Sequence, residues 1–216
     1  MIGLDQEPGT FALEFQGSSS SGRTVVGSHS VTVEAKEFPQ EHLTVASKYV
    51  KPPKEVEERL SRERKKLKEL YRNRRSEVVD DGPFVRPVPG EPTSTFGTRR
   101  LYNGEPRSPH PGLDLRAPTG TPVRSTGPGL VVLAEDLYYS GNTVLVDHGG
   151  GLFTIYAHLS EIGAEVGETI EAGRVIGLSG ATGRVTGPHL HWGAKIGNRP
   201  FDPQALLDPA LFDGKP

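Results

Sequence analysis

The sequence predicts a mainly β protein. It reads as an antiparallel two-sheet domain preceded by a β-rich segment and a charged linker helix. Three observations carry this. Gly (27) and Pro (19) make up roughly 12% and 9% of the 216 residues, above the usual ~7% and ~5%, so turns are frequent and strands short. Apolar runs bounded by glycine or proline fill the chain from Phe84 onward. One stretch of helix formers, confined to residues 51–83, interrupts the β pattern.

Residues 1–50 form the first part. Phe11, Leu13 and Phe15 alternate with Thr10, Ala12 and Glu14, and Val31 and Val33 alternate with Thr32 and Glu34. Such period-two runs are strand signals. Gly17–Arg23 (GSSSSGR) is expected to be the flexible turn between them. Two or three strands bury too little to stand alone, so this part reads as a fragment of a β-sandwich that docks on something else.

Residues 51–83 form the second part. After Pro52-Pro53 comes KEVEERLSRERKKLKELYRNRRSE, with Glu57, Glu58 and Glu69 near basic residues at helical spacing. Val56, Leu60, Leu67 and Leu70 make one thin apolar stripe. The helix has one face to rest on a neighbour, and Asp81-Gly82-Pro83 is expected to stop it. Its basic excess could suit a polyanion such as nucleic acid or teichoic acid, but an ordinary charged linker helix is the favoured reading.

Residues 84–216 form the third part. TGTPVRST, GPGLVVLAED, GNTVLVDHGGGLFTIYAHLS and GRVIGLSGATG each hold a β-run between turn residues. VGETIEAGRVIGLSG reads as a hairpin. It resembles the barrels that carry lipoyl or biotinyl groups, but no lysine stands in its turn. A short helix is expected at Pro203–Leu207.

Composition narrows the chemistry. The 216 residues carry a net charge of −2, which gives no general reason to expect nucleic acid. There is no cysteine, so disulfides, thiolate metal sites and cysteine nucleophiles are excluded. No run approaches the ~18 apolar residues of a membrane span. Met1–Phe15 shows no basic region followed by an apolar one, and it reads like the middle of a β-domain. The chain is therefore expected to begin downstream of its true start.

Histidines carry the functional signal. His110 and Asp114 lie in PHPGLD, His158 in YAHLS, and His189 and His191 in GPHLHWG. In a strand, His189 and His191 share a face, with Leu190 and Trp192 opposite. The same rule puts His158 with Tyr156 and Thr154, and Ile155 and Ala157 toward the core. Pro111-Gly112 lets the chain turn, so His110 and Asp114 can converge. Imidazole and carboxylate suit zinc, and a catalytic zinc site needs three protein ligands and a water. An isolated H-x-H is moderate evidence for a metal and H-x-x-x-D weak; together they are much stronger. His148, at a strand end before three glycines, reads as structural. His29 and His42 have no acidic or histidine neighbours and are given no role.

PHPGLDLRAPTGTPV, DHGGGLFTIYAHLS and TGPHLHWG together resemble the three signature segments of the lysostaphin-type (LytM-like) zinc endopeptidases of peptidoglycan. The resemblance covers about residues 84–203. It implies a pair of packed antiparallel sheets with a groove across them, the duplicated hybrid motif. It implies that His110, Asp114 and His191 hold Zn2+, and that His158 and His189 are the catalytic pair. It further implies action outside the cytoplasm, on peptide cross-links of the cell wall. Glycyl bridges and D-alanyl cross-links both fit it. A non-catalytic cell-wall-binding or hydrolase-activating scaffold of the same fold is a competing reading. A sugar- or polyanion-binding β-protein that takes up stray metal is another. Nothing in the residues sets the oligomeric state.

Overall fold

The computed structural model describes residues 4, 6–18, 22, 24–73, 75 and 84–208. The chain divides into two compact units, Met1–Phe38 and Pro39–Pro216. In the first, β1 (Gly9–Ser18) and β2 (Thr24–Val33) pair antiparallel from Gly9↔Val33 to Ser18↔Thr24. The strands outrun the expected turn: Gly17 and Ser18 are still paired, while residues 19–21 and 23 lie outside the described residues. The Phe15 ring lies over Gly27, where a Cβ would come within 2.4 Å of it.

The second unit holds β3 (Gln40–Leu43), α1 (Glu57–Leu70), β4 (Pro92–Ser94), β5 (Arg99–Tyr102), β6 (Glu105–Pro106), β7 (Gly112–Leu115), β8 (Pro122–Arg124) and β9 (Gly129–Leu137). It continues through β10 (Gly141–Asp147), β11 (Leu152–Leu159), β12 (Glu161–Ile162), β13 (Thr169–Ile170), β14 (Val175–Leu178), β15 (Leu190–Ile196) and β16 (Arg199–Phe201). A 3-10 helix at Pro203–Leu207 follows, where a short helix was expected. The main sheet runs β13-β9-β10-β11-β15-β7-β4, with β16 beside β15, and β12-β14-β8 forms a second sheet. Both are antiparallel. A third sheet, β3-β5-β6, contains a parallel pair, β3 with β5. The fold is therefore mainly β with antiparallel sheets, as the composition predicts.

The segment 166–180 is not a hairpin. β13 pairs with β9 in the main sheet, and β14 pairs with β12 and β8 in the second. Turn signals mark where a chain reverses, but not which edge its next strand joins. Here the turn passes the chain from one sheet to the other.

The central strands are buried on both faces. On β7, β15 and β11 the register aligns Leu113, Trp192 and Tyr156. These fill the core between the two sheets, together with Val123 of β8 and Ile176 of β14. The opposite face aligns Asp114, His191 and Ala157. Further along that face Leu133, Leu145 and Phe153 meet α1 through Leu67, Leu70 and Tyr71. Tyr156 and Thr154 thus occupy the inter-sheet face, and Ile155 packs under the helix. This reverses the expected assignment of faces on β11, because a strand buried on both sides gives no polar face to read.

Helix α1 carries acidic residues in its first turn and Lys68 in its last, matching the helix dipole. Its basic side chains find partners on β9: Arg59 meets Asp136 at 2.8 Å and Lys66 meets Glu135 at 2.7 Å. The helix ends at Leu70, well before the expected stop at residues 81–83, which lie outside the described residues. Beyond Tyr71 the stretch RNRRSE has no apolar residue to continue the packing.

Candidate metal centre and active site

Neighbouring strands build the centre. Asp114 on β7 stands directly opposite His191 on β15, so their side chains rise from one face side by side. His191 Nδ1 lies 2.9 Å from Asp114 Oδ1. His110, just before β7, brings Nε2 to 3.0 Å from the same oxygen and 3.0 Å from His191 Nδ1. Gly112 makes room: a Cβ there would sit 2.6 Å from the Trp192 carbonyl oxygen and 2.8 Å from His191 Cε1.

His110, Asp114 and His191 each offer one ligand atom, all within 4.8 Å of one another. His110 donates its Nδ1–H to the Thr95 carbonyl at 3.1 Å, which leaves the Nε2 lone pair facing the cluster. Two ring nitrogens and a carboxylate oxygen this close repel unless a proton or cation sits among them. Burial alone would raise the Asp114 pKa, but the His110 and His191 rings, when protonated, donate to it and outweigh burial, holding the carboxyl well below its usual range. Burial pushes His191 down to about 4, against the pull of Asp114. The donor set and its geometry fit one small divalent ion.

His158 and His189 stand beside these three. The His158 ring centroid is 4.9 Å from that of His189 and 6.0 Å from that of His191. His189 Nε2 lies 3.7 Å from Asp114 Oδ1. Both rings are pinned alike: His158 gives Nδ1–H to the Thr182 carbonyl at 2.9 Å, and His189 gives its own to the Gly187 carbonyl at 2.8 Å. Carbonyls only accept, so Nδ1 carries the hydrogen and, in the neutral tautomer, Nε2 carries the lone pair. Burial, followed by the charges of His191 and His189, pushes the His158 pKa down to about 3.

A backbone irregularity places His158. Strand alternation would put it on the Tyr156 face, away from the cluster. Its φ is +65°, a left-handed value that costs a non-glycine residue roughly 1–2 kcal/mol. The backbone is held there by His158 N–H to the Ser140 carbonyl at 2.8 Å. Thr182 is fixed in turn by its hydroxyl on the Leu159 carbonyl at 2.7 Å.

The expected five residues therefore come together. His148 stays apart, with Nδ1 2.6 Å from the Pro128 carbonyl and Nε2 2.7 Å from Thr154 Oγ1. His42 bonds the Gln40 amide at 3.0 Å, and His29 lies exposed on β2. Sequence reasoning missed Arg100. Its Nη2 lies 2.5 Å from Asp114 Oδ2 and 2.9 Å from Ser94 Oγ, so it clamps the carboxylate oxygen that faces away from the histidines. Its one signal was the Arg99-Arg100 pair, which carries no recognisable spacing.

The chain resembles known proteins both in sequence and in fold. The profile of peptidase family M23 matches residues 108–203. The peptidoglycan DD-endopeptidase ShyA of Vibrio cholerae is 46% identical over 111 residues, which cover 51% of this chain and 26% of that protein. The chain thus spans about a quarter of that relative's length. A crystal structure of a putative peptidase M23 from Pseudomonas aeruginosa superposes with a TM-score of 0.72 at 29% identity. The match covers 95% of this chain and 76% of that one. The catalytic domain of lysostaphin from Staphylococcus simulans is 32% identical with a TM-score of 0.50, covering 55% of this chain and 92% of that domain. Fold, signature segments and these likenesses agree: the chain belongs to peptidase family M23, the lysostaphin family.

Proposed function

We propose that the chain is a zinc-dependent endopeptidase that hydrolyses peptide cross-links of bacterial peptidoglycan, acting outside the cytoplasm. The observation that carries this is the convergence of His110, Asp114 and His191 on one point, with two pinned histidines alongside. Those three residues would hold Zn2+. When bound, it supplies a Lewis acid for the scissile carbonyl and lowers the pKa of bound water from 15.7 to about 7.

The chain's own groups supply the rest. With Nδ1–H given to a carbonyl, the neutral form of His158 or of His189 carries its lone pair on Nε2 and can accept a proton there. Once protonated, the same nitrogen donates to the leaving amine or to the developing oxyanion. The H-E-x-x-H motif, with its glutamate base, does not occur in this sequence, so histidine takes that work. Arg100 and Thr95 orient Asp114 and His110. All five residues are in place, which favours catalysis over a scaffold role.

The test pairs elemental analysis with cell-wall digestion. His110→Ala, Asp114→Ala and His191→Ala should lose zinc. His158→Ala and His189→Ala should keep zinc yet lose cleavage by roughly two or more orders of magnitude. Full zinc occupancy in His191→Ala, or zinc loss in His158→Ala as complete as in His191→Ala, would overturn the assignment.

A further inference from the structure

Beside the histidine cluster lies a cavity of about 390 Å3, lined among others by Glu41, Arg100, Arg116, His158, Arg184 and His189. Its charges are unevenly matched. Arg100 is committed to two carboxylates, Asp114 at 2.5 Å and Glu41 at 3.4 Å. Arg116 and Arg184 have no ion pair among the described residues.

Arg184 is held in a specific way. Its guanidinium carbon lies 4.5 Å from the Tyr102 ring centroid and 4.7 Å from the Tyr139 ring centroid. Aromatic contacts fix a guanidinium through its faces, while its five N–H donors lie in its plane. No side-chain hydrogen bond to that plane occurs among the described residues. Burial, with the nearby Arg100 and Arg107 adding to it, outweighs the favourable Tyr102 and Tyr139 and disfavours the charged form. An anion in the cavity relieves this, and a carboxylate fits the planar donor fork in bidentate fashion.

We propose that this cavity is a subsite for a free carboxylate on the peptide substrate, next to the bond that is cut, with Arg184 as its main partner and Arg116 as a second positive charge. The proposal rests on the endopeptidase reading and sharpens it. The chain selects cross-links whose residue beside the scissile amide carries a carboxylate, over uncharged glycyl bridges.

The experiment uses two synthetic cross-link peptides that differ in one group beside the scissile amide, a carboxylate or its primary carboxamide. Binding to the zinc-loaded protein is measured by fluorescence anisotropy on versions N-methylated at that amide, which are not cut. The carboxylate peptide should bind about tenfold or more tighter. Arg184→Gln should bring it to the level of the carboxamide while leaving the carboxamide's affinity unchanged. Arg184→Lys, which keeps the charge without the fork, should retain part of the preference. Equal binding of both peptides to the unaltered protein would overturn the proposal. So would an Arg184→Gln protein that weakens both peptides alike, with Arg184→Lys doing the same. The cleavable peptides are run in parallel. A binding preference without cleavage of either would refute the endopeptidase reading and leave the subsite standing.

Discussion

His148 gives a quantitative prediction away from the metal centre. Its ring is buried, hydrogen-bonded at both nitrogens, and packed edge-on against Phe84 with centroids 5.4 Å apart. Burial lowers its pKa from 6.5 to about 4. In the unfolded chain it titrates near 6.5. Between these values the unfolded state binds a proton that the folded state refuses, so stability falls as pH falls through this window. Below about pH 4 the loss from this group stops growing. At about 1.4 kcal/mol per pKa unit, the loss is on the order of 3 kcal/mol. The assay is urea unfolding of the protein and of His148→Gln at a series of pH values from 7.5 to 4. At neutral pH the variant should be less stable by about 1–3 kcal/mol, having lost two buried hydrogen bonds. The other titrating groups are common to both proteins and cancel. The difference should therefore move by about 3 kcal/mol by pH 4, closing or reversing in sign. A constant gap across the range would show that His148 accepts a proton in the folded state, and the reasoning would fail.

Three further outcomes follow from the geometry. Arg100→Met leaves Asp114 Oδ2 without its clamp and should lower zinc affinity roughly 10–100-fold, as read by competition with a chelator, while the circular dichroism spectrum is unchanged. Gly112→Ala forces a methyl against the Trp192 carbonyl and the His191 ring. It should cost about 1–3 kcal/mol of stability in urea unfolding and weaken zinc binding as well, whereas full zinc affinity would show that the strand yields easily. Tyr71→Ala removes the aromatic anchor of α1, edge-on to Phe153 at 5.3 Å, and should destabilise the second unit by about 3–5 kcal/mol, measured as a fall in urea midpoint.

Much of the site was legible because it sits on regular structure. The alternation in GPHLHWG correctly separates His189 and His191 from Leu190 and Trp192, since β15 has a plain core face. The turn at Pro111-Gly112 correctly predicts the approach of His110 to Asp114. The proposed division of ligand from proton carrier within His189-Leu190-His191 rests on the family resemblance, because both rings rise from the same face. Where local pattern failed, a long-range partner decided. β11 is covered by the second sheet on one side and by α1 on the other, so its apolar residues do not mark one face. Arg100 meets Asp114 across 14 residues of chain, and Arg184 meets Tyr102 from 82 positions away, with no spacing rule to announce either.

The left-handed backbone at His158 has an evolutionary side. The conformation is unfavourable for any residue with a Cβ, and the position also buries an imidazole whose pKa is pushed to about 3. Glycine escapes the first of these costs, and any residue that cannot ionise escapes the second. On the proposed reading, selection for catalysis alone keeps histidine there. The three proposed ligand positions sit on strand or next to it, and none has a positive φ. On that reading a copy no longer selected for cutting loses nothing at the metal by replacing His158, which is not among the three residues proposed to hold it.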